Sequence, residues 1–250
     1  MHSFLLIGQS NAAGRGLYNE APPLYTADGK IRVMRNGLWQ RMYRPVNPDR
    51  DFSGTCLAES FAKCHSDKYP EEYVGIIPCA DGGTSLSQWM PGEILFDNAV
   101  NCARLAMRTS KLVGILWHQG EGDCSPNLYP HYAENFKIMI DALRRQLNLP
   151  EVPVIIGGLG DFLADCPLSG GLKNYVYVNE QLVKCEKEVP LCKFVSAEGL
   201  GSNPDYLHFN AQALYEFGLR YYDAFSSFDI SKLLVSDVAE AKERTKMEEL

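Results

Sequence analysis

Five short apolar runs recur along the chain, and each is followed by a polar or glycine-rich turn. The runs are uninterrupted rather than alternating, which is typical of strands buried on both faces of a parallel sheet. Segments with apolar residues at helical spacing separate them, so the order is strand, turn and helix, repeated. The runs occupy residues 4–7, 74–78, 112–117, 152–156 and 194–195 with their neighbours. The pattern predicts an α/β fold with a parallel sheet of about five strands.

A smaller element interrupts this repeat after the first strand. Asn36-Gly37 lies between two apolar segments, residues 31–34 and 38–40, and this dipeptide is a strong signal for a tight turn between antiparallel strands. We therefore expect a small β-hairpin insertion. No linker or internal repeat divides the rest, so we expect one domain over residues 1–228 and a charged tail over residues 229–250.

Composition excludes several classes of partner. The chain has 250 residues and a formal net charge of -7, and without a basic run a nucleic acid is not an expected partner. No apolar run approaches the ~20 residues needed to span a membrane. Met1 is followed almost at once by the first strand, so we expect no signal peptide and a cytoplasmic protein. The eight cysteines include no C-x-x-C pair, which predicts neither a metal site nor a disulfide framework.

Polar residues follow several of the predicted strands at the point where each strand ends. Ser10 follows the first strand, Gly83 the second and Gln119 the third, while Asp205 and His208 follow the fifth. Because parallel strands with right-handed crossovers point the same way, these turns gather at one edge of the sheet. The sequence therefore predicts one cleft that contains all five residues.

These residue types are the ones that acyl transfer requires. A serine hydroxyl such as Ser10 becomes a nucleophile when a base such as His208 takes its proton. Asp205, three residues earlier, is placed to hold the imidazole in the correct tautomer. The backbone N–H groups of Ser10 and Gly83 and the amide of Gln119 are candidate donors for an oxyanion.

The same motifs resemble a known group of hydrolases. Gly-Gln-Ser-Asn at 8–11, Gly-Gly-Thr-Ser at 82–85, Trp-His-Gln-Gly-Glu at 117–121 and Asp-x-x-His at 205–208 occur in this order. Together they resemble the SGNH hydrolase superfamily, and more closely its sialate O-acetylesterase domain family and carbohydrate esterase family 6, the acetylxylan esterases. The similarity spans roughly residues 3–225. It implies a flavodoxin-like three-layer α/β/α sandwich and a serine esterase without metal or cofactor that removes O-acetyl groups from carbohydrates.

The resemblance also implies residue roles. Ser10 matches the nucleophile, His208 the base and Asp205 its acid, and Ser10, Gly83 and Gln119 match the oxyanion positions. The wider superfamily usually has an asparagine at the position of Gln119, whereas the closer families have Gln-Gly-Glu. That block leaves Glu121 as a second candidate for the acid, its alternative role being support of the loop.

Two further residues are candidate substrate contacts. Arg15 could bind an anionic substrate, although an ion-paired arginine is the simpler interpretation. Trp89 could stack on a sugar, or belong to the core of its loop. We expect His118 to be structural, and His2, His65 and His131 to lie at the surface.

Three functions remain open at this point. The first is a carbohydrate O-acetylesterase acting on acetylxylan or O-acetylated sialic acid. The second is a broader short-acyl esterase or lipase of the same superfamily. The third is a non-catalytic sugar-binding protein, since a fold alone does not establish activity. The sequence gives no signal for an oligomeric state.

Overall fold

The structure is a computed structural model, and it describes residues 1–167 and 170–234. In that part of the chain seven strands form one sheet. They are β1 (His2–Gly8), β2 (Ile31–Arg35), β3 (Leu38–Arg41), β4 (Val74–Pro78), β5 (Lys111–His118), β6 (Val154–Gly157) and β7 (Cys192–Val195).

The order of the strands across the sheet is β3-β2-β4-β1-β5-β6-β7. The strands predicted from the five apolar runs are β1, β4, β5, β6 and β7, and they are parallel. Their spatial order is second, first, third, fourth and fifth, which is the flavodoxin-like arrangement.

The predicted number of about five strands is wrong. β2 and β3 pair antiparallel through the Asn36-Gly37 turn, and β2 also pairs in parallel with β4. The two strands therefore extend the sheet beyond β4. The prediction treated them as a separate insertion, because turn chemistry reveals a hairpin but not the strand beside which it lies.

Helices cover both faces of the sheet. They are α1 (Ser10–Ala13), α2 (Ala58–Lys68), α3 (Ile94–Ala106), α4 (Tyr132–Leu147), α5 (Tyr175–Glu188) and α6 (Ala211–Ser226). α3, α4 and α5 pack on one face, while α2 and α6 pack on the other. In β1, Leu5 and Ile7 face the first core and Phe4 and Leu6 face the second. Both faces of this strand are apolar, which explains its continuous apolar sequence.

The site is positioned by the place of β1 between β4 and β5. The chain moves from β1 to β4 on one side and then crosses to β5 on the other. Ligand sites in open α/β sheets lie outside the carboxyl ends of the strands at such a reversal. The turn after β1, which begins α1, lies at this point.

The charged tail lies largely outside the described residues, which end at 234. Within the described part Ile230 is buried, and the Lys111 ammonium donates a hydrogen bond to the Leu234 carbonyl. The boundary at residue 228 stays a prediction. Among the described helices none combines the length and apolar character needed to cross a membrane.

Candidate active site

Ser10 begins α1 immediately after β1, on a turn that only glycine permits. Gly8 has a φ of 125°, and a Cβ built on it would lie 2.1 Å from the His118 carbonyl oxygen. The Gln9 N–H donates to that same carbonyl at 2.9 Å. β1 and β5 are thus held in contact up to the point where the chain turns, which fixes Ser10 at the edge of the sheet.

The structure brings Ser10, His208 and Asp205 together. The Ser10 Oγ lies 3.0 Å from His208 Nε2, and Asp205 Oδ2 lies 2.7 Å from His208 Nδ1. When Nδ1 carries the proton and donates it to Asp205, Nε2 is free to accept from the serine hydroxyl. This tautomer suits His208 to act as a base toward Ser10.

A tight turn makes the contact between Asp205 and His208 possible. Asp205 Oδ1 accepts the backbone N–H groups of Leu207 at 2.9 Å and His208 at 3.0 Å, and Tyr206 between them has a left-handed φ of 51°. Burial raises the pKa of Asp205, but the hydrogen bonds from these backbone groups and from the imidazole outweigh it. The net pKa of Asp205 lies below its ordinary value, so the carboxylate facing His208 is ionised at neutral pH.

Two backbone N–H groups beside the serine are available to an anionic ligand. Within the described ranges, the N–H groups of Ser10 and Gly83 have no hydrogen-bond acceptor. Gly83 is exposed and has a φ of 77°. A Cβ built on its neighbour Gly82 would lie 3.5 Å from the Ser10 Cβ. The turn after β4 therefore lies against the serine.

A buried ion pair holds that turn, and it involves a residue that the sequence analysis missed. Arg15 binds Asp49 through two hydrogen bonds of 2.9 and 2.7 Å, and Asp49 Oδ2 also accepts the Gly82 N–H at 2.9 Å. Burial raises the pKa of Asp49, but the hydrogen bonds and charge of Arg15, together with the hydrogen bonds from Ser53 and Gly82, outweigh it and leave this pKa below its ordinary value. Asp49 lies in a loop with no hydrophobic periodicity, so no local signal could have identified it.

The suggested contact of Arg15 with an anionic substrate is not supported by this geometry. Its side chain is 5% exposed and its charge is paired with Asp49. Arg15 stabilises the turn that carries Gly83 instead. This is the ion-paired interpretation that the sequence analysis weighed against substrate binding.

The predicted oxyanion role of Gln119 does not fit the structure either. The side chain is fully buried, and its Nε2 lies 3.1 Å from Gln9 Oε1, 3.0 Å from the Thr84 carbonyl oxygen and 2.6 Å from Asp123 Oδ2. Its amide thereby joins the turns after β1, β4 and β5. With both amide hydrogens used in this way, Gln119 is a brace of the cleft. Sequence position places Gln119 at the right edge of the sheet but does not say which way its side chain turns.

Glu121 lies near the cleft but does not contact His208. Its Oε1 accepts a hydrogen bond of 2.5 Å from Asn11 Nδ2. Asn11 in turn contacts the loop of the histidine, donating to the Leu207 carbonyl at 3.2 Å and accepting the Phe209 N–H at 3.1 Å. Of the two candidate acids, Asp205 is the one bonded to the imidazole. Asn11 follows the serine directly in the Gly-Gln-Ser-Asn motif, so the sequence contained the signal for its role.

The other candidate residues belong to the interior. Trp89 is buried, with its Nε1–H donating to Thr84 Oγ1 at 3.1 Å and its ring against Trp117, so it offers no platform to a sugar. His118 is fully buried and its Nε2 lies 3.1 Å from the Gly158 carbonyl oxygen, as expected of a structural histidine.

The expectation for two other histidines is wrong. His2 and His65 are buried and contact each other, whereas His131 is exposed. The rings of Phe4 in β1 and Phe225 in α6 pack on His65, a long-range arrangement that no local sequence pattern reveals.

Among residues 1–167 and 170–234, no group of histidine, cysteine, aspartate and glutamate side chains is arranged to hold a metal ion. What the cleft offers is a serine hydroxyl, an imidazole oriented by a carboxylate, and two backbone donors. Such a set is suited to nucleophilic attack on an ester carbonyl.

Comparison with known proteins agrees with this chemistry. The family model described as carbohydrate esterase, sialic acid-specific acetylesterase matches residues 1–227. A probable carbohydrate esterase of Arabidopsis thaliana is 27% identical, in an alignment that covers 90% of this chain and 90% of that protein.

Solved structures share the fold. A protein structure from Arabidopsis thaliana has a TM-score of 0.79 at 25% identity and covers 91% of this chain and 99% of its own. NanS has a TM-score of 0.68 at 18% identity, and the match covers 91% of this chain and 97% of NanS. A carbohydrate acetylesterase from Xanthomonas citri has a TM-score of 0.65 at 20% identity, covering 89% of this chain and 55% of its own. By the family model, which spans nearly all of the described chain, this protein belongs to the carbohydrate esterase family of sialic acid-specific acetylesterases and is a carboxylic ester hydrolase.

Proposed function

We propose that this esterase removes O-acetyl groups from carbohydrates through an acyl-enzyme on Ser10. The observation that carries the proposal is the hydrogen-bonded series of Ser10, His208 and Asp205, with distances of 3.0 and 2.7 Å. A sugar-binding protein without catalysis has no need for a hydroxyl, a base and an ionised acid in this order.

The first half of the reaction transfers the acetyl group to the enzyme. His208 Nε2 accepts the Ser10 proton as Oγ attacks the acetyl carbonyl carbon, and Asp205 stabilises the imidazolium that forms. The tetrahedral intermediate then collapses, and His208 gives the proton to the departing sugar oxygen. Ser10 is left as its acetyl ester and the carbohydrate is free to leave.

The second half returns the serine. A water molecule gives a proton to His208 Nε2 and attacks the acetyl ester, and acetate leaves as Ser10 recovers its hydrogen. In both halves negative charge develops on the former carbonyl oxygen. We assign the N–H groups of Ser10 and Gly83 as its donors, because they face no other acceptor in the described structure and lie on adjacent turns.

Two substrate types share this chemistry. An acetylated xylan is neutral, whereas O-acetylated sialic acid carries a carboxylate. Arg15 was the residue considered for that carboxylate, and its pairing with Asp49 removes this reason to prefer the anionic substrate. We therefore keep acetylated carbohydrate as the substrate class. The kcat/KM values of one enzyme preparation on acetylated xylo-oligosaccharides and on O-acetylated sialic acid show which of the two is the better substrate.

The Ser10→Ala variant tests the proposal. We expect loss of at least about 10³-fold in kcat on 4-nitrophenyl acetate, because the hydroxyl that forms the covalent bond is gone, while the melting temperature stays near that of the wild type. A serine-directed phosphonate should add its mass at Ser10 in the wild type only. Labelling at another residue, or an active alanine variant, would overturn the assignment.

A series of acyl chain lengths separates the acetylesterase from the broader short-acyl esterase or lipase. Wild-type enzyme is assayed with 4-nitrophenyl acetate, butyrate and octanoate. The acetylesterase predicts the highest kcat/KM on acetate, and a maximum on a longer ester would favour the alternative.

A further inference from the structure

Three large apolar side chains remain exposed on the segments beside the serine. Leu17 is 45% exposed, Tyr18 48% and Phe52 66%. We call these three residues the apolar rim. Single exposed apolar residues are ordinary on protein surfaces, but several of them on segments next to a candidate catalytic serine favour a binding surface.

Backbone pairing fixes the two segments of the rim against each other. The Gly16 N–H donates to the Thr55 carbonyl at 3.3 Å, and the Thr55 N–H donates to the Gly16 carbonyl at 2.9 Å. The Tyr18 hydroxyl donates to the Ser53 carbonyl at 2.9 Å. The rim is therefore a fixed part of the fold, which reduces the entropy lost when a ligand binds to it.

A series of contacts connects one residue of the rim, Phe52, to Ser10. The centre of the Phe52 ring lies 5.2 Å from the Arg15 Cζ. A Cβ built on Gly82 would lie 2.6 Å from Arg15 Nη2 and 3.5 Å from the Ser10 Cβ. Phe52 is thus connected to Ser10 through two residues, Arg15 and Gly82, in this series of contacts.

We propose that the apolar rim binds sugar units of the substrate beyond the one that carries the acetyl group. The inference rests on the proposed function and adds a subsite to it. A pyranose ring presents a face of C–H groups, and an aromatic ring such as Phe52 or Tyr18 buries that face without needing a particular hydroxyl pattern. The polar groups that react lie around Ser10, and the apolar groups that bind the carbohydrate chain lie beside it. Ligand sites usually combine polar and apolar groups in this way.

The competing interpretation is that Phe52 only shields the ion pair of Arg15 and Asp49 from water. Both interpretations allow an exposed ring, and the 66% of Phe52 that faces solvent leaves a surface open to a ligand. The two interpretations differ in what the side chain affects. Shielding acts on the turn that carries Gly83 and hence on kcat, but a subsite acts on the binding of a longer carbohydrate.

The first experiment measures binding without turnover. In the Ser10→Ala background, calorimetry gives the Kd of acetylated xylo-oligosaccharides of one to six units. Affinity should rise with length, and the added change Phe52→Ala should weaken the binding of the longest ligand by about tenfold, the effect of one lost aromatic contact. Phe52→Trp should restore it.

The matched control is Tyr73→Ala in the same background. Tyr73 is also an exposed ring, 45% accessible and centred 5.3 Å from an arginine, Arg32. It precedes β4 and so lies at the opposite edge of the sheet. Its removal should leave the Kd unchanged at every ligand length.

A second experiment uses active enzyme and separates the proposals from each other. With the longest acetylated oligosaccharide, Phe52→Ala should raise KM about tenfold and retain kcat. Equal Kd values for the Phe52→Ala and parent enzymes, or a loss confined to kcat, would overturn the subsite. If Ser10→Ala binds these ligands through Phe52 but wild-type enzyme releases no acetate from them, the subsite stands and the proposed acetylesterase activity fails.

Discussion

Only one of the two candidate acids contacts His208, and their replacement should therefore affect kcat differently. Asp205 accepts the Nδ1 proton of His208, whereas Glu121 reaches the histidine loop only through Asn11. Neutralising Asp205 should therefore affect the base, His208, itself. Neutralising Glu121 should affect only the packing of the loop that carries His208.

We expect Asp205→Asn to lower kcat on the order of 10⁴-fold, because an amide favours the wrong imidazole tautomer and cannot stabilise the imidazolium. Glu121→Gln is the matched change from acid to amide, and it should lower kcat less than about tenfold because its Oε1 still accepts from Asn11. Steady-state kinetics on 4-nitrophenyl acetate measure both. The opposite ranking would give the acid role to Glu121.

Gln119 provides a second contrast at the scale of one side chain. Gln119→Ala should cost about 2–4 kcal/mol of unfolding free energy, since it leaves a cavity and removes buried hydrogen bonds from three turns. The kcat per folded molecule should fall by less than the 10²–10³-fold expected for a lost oxyanion donor. Chemical denaturation and active-site titration on one preparation give both values. A loss of 10²–10³-fold in kcat at unchanged stability would restore the oxyanion role.

The turns after β1 and β4 position the N–H groups of Ser10 and Gly83, and the turn after β4 is held by an ion pair. Arg15 and Asp49 have side chains that are 5% and 3% exposed, and Asp49 also accepts the N–H of Gly82. Arg50 and Asp81 form a second pair in the same region, but it is 40% and 34% exposed. The first pair is buried and has two hydrogen bonds, whereas the second is more exposed and has one, and Arg50 Nη1 also lies 4.0 Å from Asp49 Oδ2.

We expect Asp49→Asn to cost about 3–5 kcal/mol, because the charge of Arg15 is left buried without its partner. It should also lower kcat, since the turn with the Gly83 N–H loses its anchor. Asp81→Asn breaks the exposed pair and should cost less than about 1 kcal/mol. Urea unfolding and kcat on 4-nitrophenyl acetate are the measurements. Equal stability losses in the two variants would show that burial does not govern these pairs.

Elements were largely predictable from the sequence, whereas side-chain directions were not. Uninterrupted apolar runs located β1 and β4 because the central residues of strands buried on both faces are apolar. Helix α4 (Tyr132–Leu147) occupies one of the segments with helical apolar spacing between the predicted strands. The partner of the hairpin and the direction of the Gln119 amide depend on contacts between distant segments, which no local pattern encodes. The same holds for Asp49, whose role comes from a residue 34 positions away.

At the scale of the whole molecule, the candidate active site and a buried histidine pair lie at opposite ends of the strands. The turns with the proposed reacting groups follow the carboxyl ends of β1, β4 and β7. At the opposite end of β1, His2 Nδ1 lies 2.9 Å from His65 Nε2 in the interior. Phe4, Tyr69 and Phe225 pack around His65, with ring centres 4.8, 4.7 and 5.8 Å away. A charge at His65 would be surrounded by aromatic rings and would face a second imidazole.

This histidine pair should make the folded state sensitive to mild acid. Burial lowers the pKa of His65 to about 3 and also lowers that of His2. In the unfolded chain both histidines bind protons as the pH falls through about 6.5. Between these values the unfolded state holds more protons than the folded state, so stability declines as the pH decreases. The carboxylates of Asp49 and Asp205 have lowered pKa values, and their contribution is lost only at lower pH.

We therefore expect the unfolding free energy of the wild type to decrease between pH 6.5 and pH 5, by up to about 1.4 kcal/mol per pH unit for each histidine that protonates only on unfolding. His65→Gln should flatten this dependence, because glutamine does not titrate, while the buried His118 keeps part of the slope. His131→Gln removes an exposed histidine and should leave the slope unchanged. Urea denaturation at four pH values in this window supplies the slopes, and equal slopes for wild type and His65→Gln would contradict the assignment. Since His65 lies at the edge of the sheet opposite Ser10, kcat per folded molecule at pH 7 should remain at the wild-type value in His65→Gln, separating a loss of stability from a loss of chemistry.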